Sequence, residues 1–183
     1  MSVVITGNPG VGKHTIAKKL AETMNFKILD INKIALESGL YEKKDGVLEV
    51  NTTKLKPILT KKITKKSLIV GHLAPFVVPK SKVKIAIILR KNPYKLLTVY
   101  KKRKYSRKKI ADNVGSEVLG IIAYNSIKKF GKSKTCQIDT TSISISNLTK
   151  KIKSIFKGKF DDDKVDWLSL VSEKNNLKKF FPY

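Results

Sequence analysis

The sequence predicts a three-layer α/β fold, a five-stranded parallel sheet with helices on both faces. Three observations predict it. Short apolar runs, SVVIT at Ser2–Thr6, SLIV at Ser67–Val70 and KIAIIL at 84–89, have the composition of strands buried on both sides. These runs alternate with segments whose apolar residues recur at helical spacing, as right-handed βαβ units require. The first run also leads directly into a glycine-rich loop that opens a helix.

The elements follow in order. After the strand over residues 2–6, Ile16, Ala17, Leu20, Ala21 and Met24 define a helix over residues 13–24. A second strand is expected over 26–29. Asp30 can cap a helix over 31–38 that ends at Gly39. Residues 41–50 read as a loop or irregular arm, 52–64 as a helix, and 67–70 and 84–89 as two further strands. Helices are expected over 94–102 and 106–129, the latter with Ile110, Val114, Val118, Ile121 and Ile122 on one side. A last strand at 137–139 and a helix at 147–156, with Leu148, Ile152 and Ile155 spaced for burial, complete one domain over residues 1–157. Residues 158–183 form a C-terminal tail that opens with Asp161, Asp162 and Asp163 and ends in aromatics.

Composition bounds the function. A chain of 183 residues with 41% hydrophobic content supports one full core. No apolar run approaches a membrane span, and the short apolar start lacks the basic leader of a signal peptide. A single cysteine, Cys136, fits a reducing cytoplasm and is expected to be buried. The formal net charge is +25, and only Arg90, Arg103 and Arg107 among the 39 basic residues are arginines. Such a surplus is either a set of solvated lysine faces or a surface for polyanions. Its concentration in residues 90–109, which contain no carboxylate, favours phosphate handling.

Residues 7–15 read Gly7-Asn8-Pro9-Gly10-Val11-Gly12-Lys13-His14-Thr15. The spacing Gly7-x4-Gly12-Lys13 is that of a P-loop, without the usual hydroxyl directly after the lysine. Glycines allow the backbone to wrap a phosphate, while the following helix adds positive potential and the lysine a full charge. Imidazole at His14 is a poor ligand for Mg²⁺, so the metal is expected to be held by nucleotide phosphates and water, with no protein metal site. Thr15 can bond a phosphate oxygen. His14 is expected to face solvent at the helix start.

Gly-x-Pro-Gly-x-Gly-Lys-x-Thr resembles the P-loop of nucleoside monophosphate kinases. With FKILDINKIALESGLY at 26–41, LIVGH at 68–72, ILRK at 88–91 and RKYSRKKIADNVGSE at 103–117, the chain resembles the adenylate kinase isoenzyme six family. The C-terminal Val165-Asp166-Trp167-Leu168 resembles an ending of archaeal members. The resemblance implies a small adenylate-kinase-like P-loop NTPase fold, Mg²⁺·ATP as donor and AMP or another nucleoside monophosphate as acceptor. ATP hydrolysis is implied as a side activity. It also implies an alternative role as an ATP-gated factor in small ribosomal subunit maturation, binding an S-eleven family ribosomal protein and rRNA. By position, Gly10, Val11, Gly12, Lys13, His14 and Thr15 would hold ATP. The monophosphate arm would cover about 30–50, and the lid about 102–112 with Arg103 over the nucleotide.

Two positions depart from the family pattern. Val70 stands where an acidic residue precedes the histidine, and Leu36 where many adenylate kinases carry an arginine for the acceptor phosphate. His72, at the end of a buried strand, either positions water or an acceptor oxygen or bonds a neighbouring loop. Arg90, at the same sheet edge, is expected to bind phosphate because few carboxylates are available to pair with it. Arg103 and Arg107 flank Tyr105 in a cationic lid, or alternatively in a plain basic loop. Asp112 and Asn113 are expected to be structural. Lys13, Arg103 and His72 are the catalytic candidates, and Arg90 and Arg107 the acceptor-phosphate and lid candidates. The tail either folds back over the core or offers aromatics to a partner.

Overall fold

A computed structural model describes residues 2–44 and 47–182. Met1, Asp45, Gly46 and Tyr183, which the sequence assigns to the first apolar run, the arm and the tail tip, lie outside the described residues. The chain runs β1 (Ser2–Thr6), α1 (Lys13–Met24), β2 (Lys27–Asp30), α2 (Ile31–Glu37), β3 (Tyr41–Lys44), β4 (Val47–Val50), α3 (Thr52–Lys62), β5 (Ser67–Val70), α4 (Ala74–Val77) and β6 (Val83–Arg90). It continues with α5 (Pro93–Lys102), α6 (Arg107–Val118), α7 (Ile121–Phe130), β7 (Thr135–Asp139), α8 (Ile145–Phe156), α9 (Trp167–Glu173) and α10 (Leu177–Phe180).

The five-stranded sheet has the order β2-β5-β1-β6-β7, and every pairing in it is parallel. Strand side chains alternate between two cores, which is why the strand sequences are continuously apolar. Val3, Ile5, Leu68, Val70, Ile85, Ile87, Leu89, Cys136 and Ile138 pack with α1, α5, α6 and α8. Val4, Leu29, Ile69 and Ala86 face the opposite core with Ile31, Leu55, Leu59 and Phe130. Asp30 caps α2 as expected, accepting from the N–H groups of Asn32 at 2.9 Å and Lys33 at 3.2 Å. No helix among the described residues is long and apolar enough to cross a membrane.

Two sequence expectations change. Residues 41–50 are an antiparallel hairpin, β3 with β4, rather than an irregular arm; Tyr41 pairs with Val50 and Glu42 with Glu49. The single helix over 106–129 is two helices, interrupted at Leu119 and Gly120, with Gly120 in the left-handed region at φ 64. The tail folds back over the core, one of the two readings expected of it, as ordered helix and edge cover. Asp163 N–H donates to the Gln137 carbonyl at 3.0 Å and Asp163 Oδ2 accepts from Asp139 N–H at 2.9 Å, so the acidic run lies along the open side of β7. Lys151 Nζ ties it down through Asp161 at 2.9 Å and Asp163 at 2.6 Å. Beyond it, Val171 and Phe180 enter the same core as β1 and α1, and Phe180 meets Tyr94 edge-on at 4.9 Å.

Candidate functional site

β1 ends in the sheet centre, and the loop that follows must turn sharply to start α1. Three glycines make that turn, with φ of 134 at Gly7, 86 at Gly10 and 99 at Gly12. At Gly7 a Cβ would also stand 2.2 Å from the Leu89 carbonyl oxygen. Four carbonyls of the loop are tied to the protein. Lys13 Nζ donates to Gly7 O at 2.9 Å and Asn8 O at 2.8 Å; Tyr100 OH donates to Pro9 O at 2.6 Å; Thr140 Oγ1 donates to Val11 O at 3.0 Å. What the loop has left to offer a ligand is its N–H groups, which favours an anion.

Lys13 is 6% exposed. Burial pushes its ammonium down to about 8, reinforced by Arg103 and opposed by Glu117 and Asp30. This charge is short of solvation and has no direct carboxylate partner among the described residues, so an anion entering the loop would satisfy it.

The loop forms one end of a cleft of about 400 Å³. Gly10, Gly12, Lys13, His14 and Thr15 line it from the loop and α1, and Asn32 from α2. His72 comes from just past the end of β5, Arg103 and Tyr105 from the turn between α5 and α6, and Lys109 and Asn113 from α6. That turn is short, residues 103–106, with Tyr105 stacked on Tyr100 at 5.5 Å and Lys109 Nζ 4.5 Å above the Tyr105 ring. The stack fixes the root of the turn and leaves the Arg103 side chain exposed beside the loop.

The structure thus brings Gly10, Gly12, Lys13, His14, Thr15, His72 and Arg103 together. Val11 is the exception in the loop: its side chain is buried in the core, and only its backbone belongs to the site. His14 points outward, its Nε2 2.8 Å from Asp30 Oδ2. Burial and the Lys13 charge push His72 down to about 4, so it is neutral near pH 7 and can accept as well as donate a hydrogen bond. Arg107 is exposed at the first position of α6 and does not line the cleft.

Arg90 requires a correction. It is not a free phosphate ligand: it is 4% exposed, and Nε donates to Glu117 Oε1 at 2.9 Å. One terminal nitrogen donates to Gln137 Oε1 at 2.8 Å and the other to the Glu117 carbonyl at 2.8 Å. The guanidinium is engaged within the protein because one of the few carboxylates lies buried beside it. The sequence reading missed Glu117, together with Asn8, Tyr100 and Thr140 as supports of the loop. Glu117 carried a signal: it falls between Val114 and Val118 on the apolar side of its helix.

A family model described as "AAA domain" matches residues 3–120. A protein of Saccharolobus solfataricus named "Putative adenylate kinase" is 33% identical over 171 residues, covering 92% of this chain and 88% of its own. One of the same name from Thermococcus kodakarensis is 30% identical over 176 residues, covering 94% and 96%. The chain belongs to this adenylate kinase-like family of P-loop proteins. The adenylate kinase-like protein shares its fold with shikimate kinases. That of Acinetobacter baumannii, solved in complex with shikimate, matches with a TM-score of 0.60 at 19% identity over 87% of this chain and 95% of the other. That of Bacteroides thetaiotaomicron matches at 0.58 and 16% identity, over 86% and 98%. Within this adenylate kinase-like chain, the two departures noted in the sequence are placed differently. Val70 is fully buried in the core, whereas Leu36 is 69% exposed on α2.

Proposed function

We propose that the cleft binds ATP and transfers its γ-phosphoryl group to a nucleoside monophosphate, AMP first. The observation that carries this reading is the loop itself, with its carbonyls tied back and a buried ammonium facing a cleft walled by Arg103 and Lys109. Phosphoryl transfer requires mainly positioning, charge neutralisation and exclusion of water. In the transfer, the bond from the γ-phosphorus to the β–γ bridging oxygen breaks while an acceptor phosphate oxygen bonds to the γ-phosphorus. Lys13, held beside the loop by the Gly7 and Asn8 carbonyls, meets the β- and γ-oxygens with its ammonium, and the loop amides hold them in place. Arg103 closes over the developing charge from the opposite wall. Neutral His72 orients an acceptor oxygen or a water by hydrogen bonding.

The acceptor arm is assigned to about residues 30–50, the α2 helix and the hairpin, and the lid to about 102–112. Among the described residues no three His, Cys, Asp or Glu side chains gather into a metal cage. Mg²⁺ would be carried by nucleotide phosphates and water, with Thr15 Oγ1 an oxygen donor lining the cleft. When bound, the ion neutralises phosphate charge. Lys13→Ala tests the assignment in a coupled assay with ATP and AMP: turnover is expected to fall by at least about 100-fold, the scale of losing one transition-state donor. Wild-type turnover in that variant would overturn it.

A second reading is favoured by the +25 charge and by the apolar Val70. In it, the same ATP site gates binding to the small ribosomal subunit through an S-eleven family protein and rRNA, with slow hydrolysis. Phosphate release measured with and without AMP separates the two: AMP-dependent consumption of ATP supports the kinase, AMP-independent release the gated factor. RNA affinity that does not fall with salt would contradict the electrostatic form of the second reading.

A further inference from the structure

The Glu117 carboxylate sits at a junction between the phosphate loop and the C-terminal segment. It is fully buried, and both of its oxygens are engaged. Oε2 accepts from Asn8 Nδ2 at 2.7 Å. Oε1 accepts from Arg90 Nε at 2.9 Å, Lys91 N–H at 3.0 Å and Trp167 Nε1 at 3.2 Å. Asn8 is held at its other end too, its Oδ1 accepting from Ser116 Oγ at 3.1 Å. The Asn8 carbonyl in turn accepts from Lys13 Nζ at 2.8 Å.

These contacts form one continuous chain, from Trp167 at the start of α9 through Glu117 on α6 and Asn8 in the loop to Lys13. We propose that Glu117, Asn8 and Trp167 are positioning residues for the phosphate site, and that the docking of α9 sets the geometry of the loop through Glu117. This rests on the reading of the loop as an ATP site. Arg90 pairs with the Glu117 carboxylate in its buried position, and the two carboxylate oxygens accept from all their neighbours at once. With Trp167 undocked, Oε1 loses one of its three donors, and the constraint on Glu117 and hence on Asn8 loosens. Docking of the tail and ordering of the loop are therefore coupled, and coupling of this kind is reciprocal: ATP binding must also tighten the tail.

Trp167 is the sole tryptophan, so its fluorescence reads the junction directly. Because Trp167 is only half-buried, Trp167→Phe keeps an aromatic ring there and removes the donor. Asn8→Ala removes the loop side. ATP affinity of the wild type, both single variants and the double variant is measured by calorimetry on the full chain, alongside Trp167 emission during ATP titration. Each single variant is expected to weaken ATP binding roughly fivefold, with the double variant no weaker than the worse single. ATP is expected to shift Trp167 emission in the wild type over the same concentration range as the calorimetric binding, and not in Asn8→Ala. Multiplying effects in the double variant, unchanged affinity in Trp167→Phe, or an emission shift that survives in Asn8→Ala would each overturn the proposal. If the wild type gave no heat with ATP, the phosphate-site reading would fall first. A wild type that binds ATP with uncoupled variants defeats the positioning role alone.

Discussion

Titrating ATP into the protein at a series of pH values, from neutrality to well above 8, follows the protonation state of Lys13. In the unliganded protein its ammonium titrates near 8, because burial disfavours the charge and Arg103 adds repulsion. A bound triphosphate favours the charged form, so the value rises in the complex. Affinity is therefore flat below pH 8, where Lys13 is already protonated. Above pH 8 each ATP bound must take up a proton, and the dissociation constant rises about tenfold per pH unit until the value of the complex is reached. The unliganded protein shows the opposite trend. Its folded-state value lies below the ordinary 10.5, so the unfolded chain holds the proton more strongly, and stability increases as pH rises from 8 towards 10.5. At 1.36 kcal/mol per pH unit, full expression of that gap is worth about 3 kcal/mol. Calorimetric titration of ATP and urea denaturation without it measure the two trends. An ATP affinity that stays constant up to pH 10, or that breaks only near 10.5, would show that Lys13 is solvated and refute the reasoning.

Other perturbations address the supports of the site. Glu117→Ala strands the Arg90 guanidinium in the interior and is expected to lower stability by about 3–5 kcal/mol; adding Arg90→Met should restore at least half of it in thermal melts, and no recovery would contradict the buried pair. Gly7→Ala places a Cβ 2.2 Å from the Leu89 carbonyl oxygen, so the loop must leave its path. ATP binding should be lost in calorimetry, whereas wild-type affinity would refute the loop geometry. His72 titrates near 4 when folded and near 6.5 when unfolded, so it costs stability as pH falls from 6.5 towards 4, by up to about 3 kcal/mol. Urea midpoints of wild type and His72→Gln measure this, and parallel acid profiles would argue against burial of the imidazole.

The sequence reveals the central strands because a parallel sheet buried on both faces leaves continuous apolar runs, as in β1, β5 and β6. The phosphate loop is legible because its glycines are fixed by backbone geometry that holds whatever surrounds it. The hairpin of β3 and β4 was less legible: each strand is four residues long, and YEKK has no apolar face to betray it. The break at Gly120 was hidden because apolar spacing continues across it from Val118 to Ile122. Arg90 and Glu117 are 27 residues apart, and local pattern says nothing about such a pairing; a lysine-rich chain made the arginine look unpartnered. The tail helices lack a periodic stripe, because α9 and α10 contribute only Val171 and Phe180 to the core as fully buried residues. The tie between Trp167 and Glu117 depends on that tertiary docking.

The assignment of residues 7–15 as a nucleotide triphosphate site is tested most directly by isothermal titration of Mg²⁺·ATP into the wild type and into Lys13→Ala. Saturable heat with one nucleotide per chain, and affinity about tenfold or more weaker without the lysine, is the predicted outcome. Absence of saturable heat in the wild type, or equal affinity in both proteins, would contradict it.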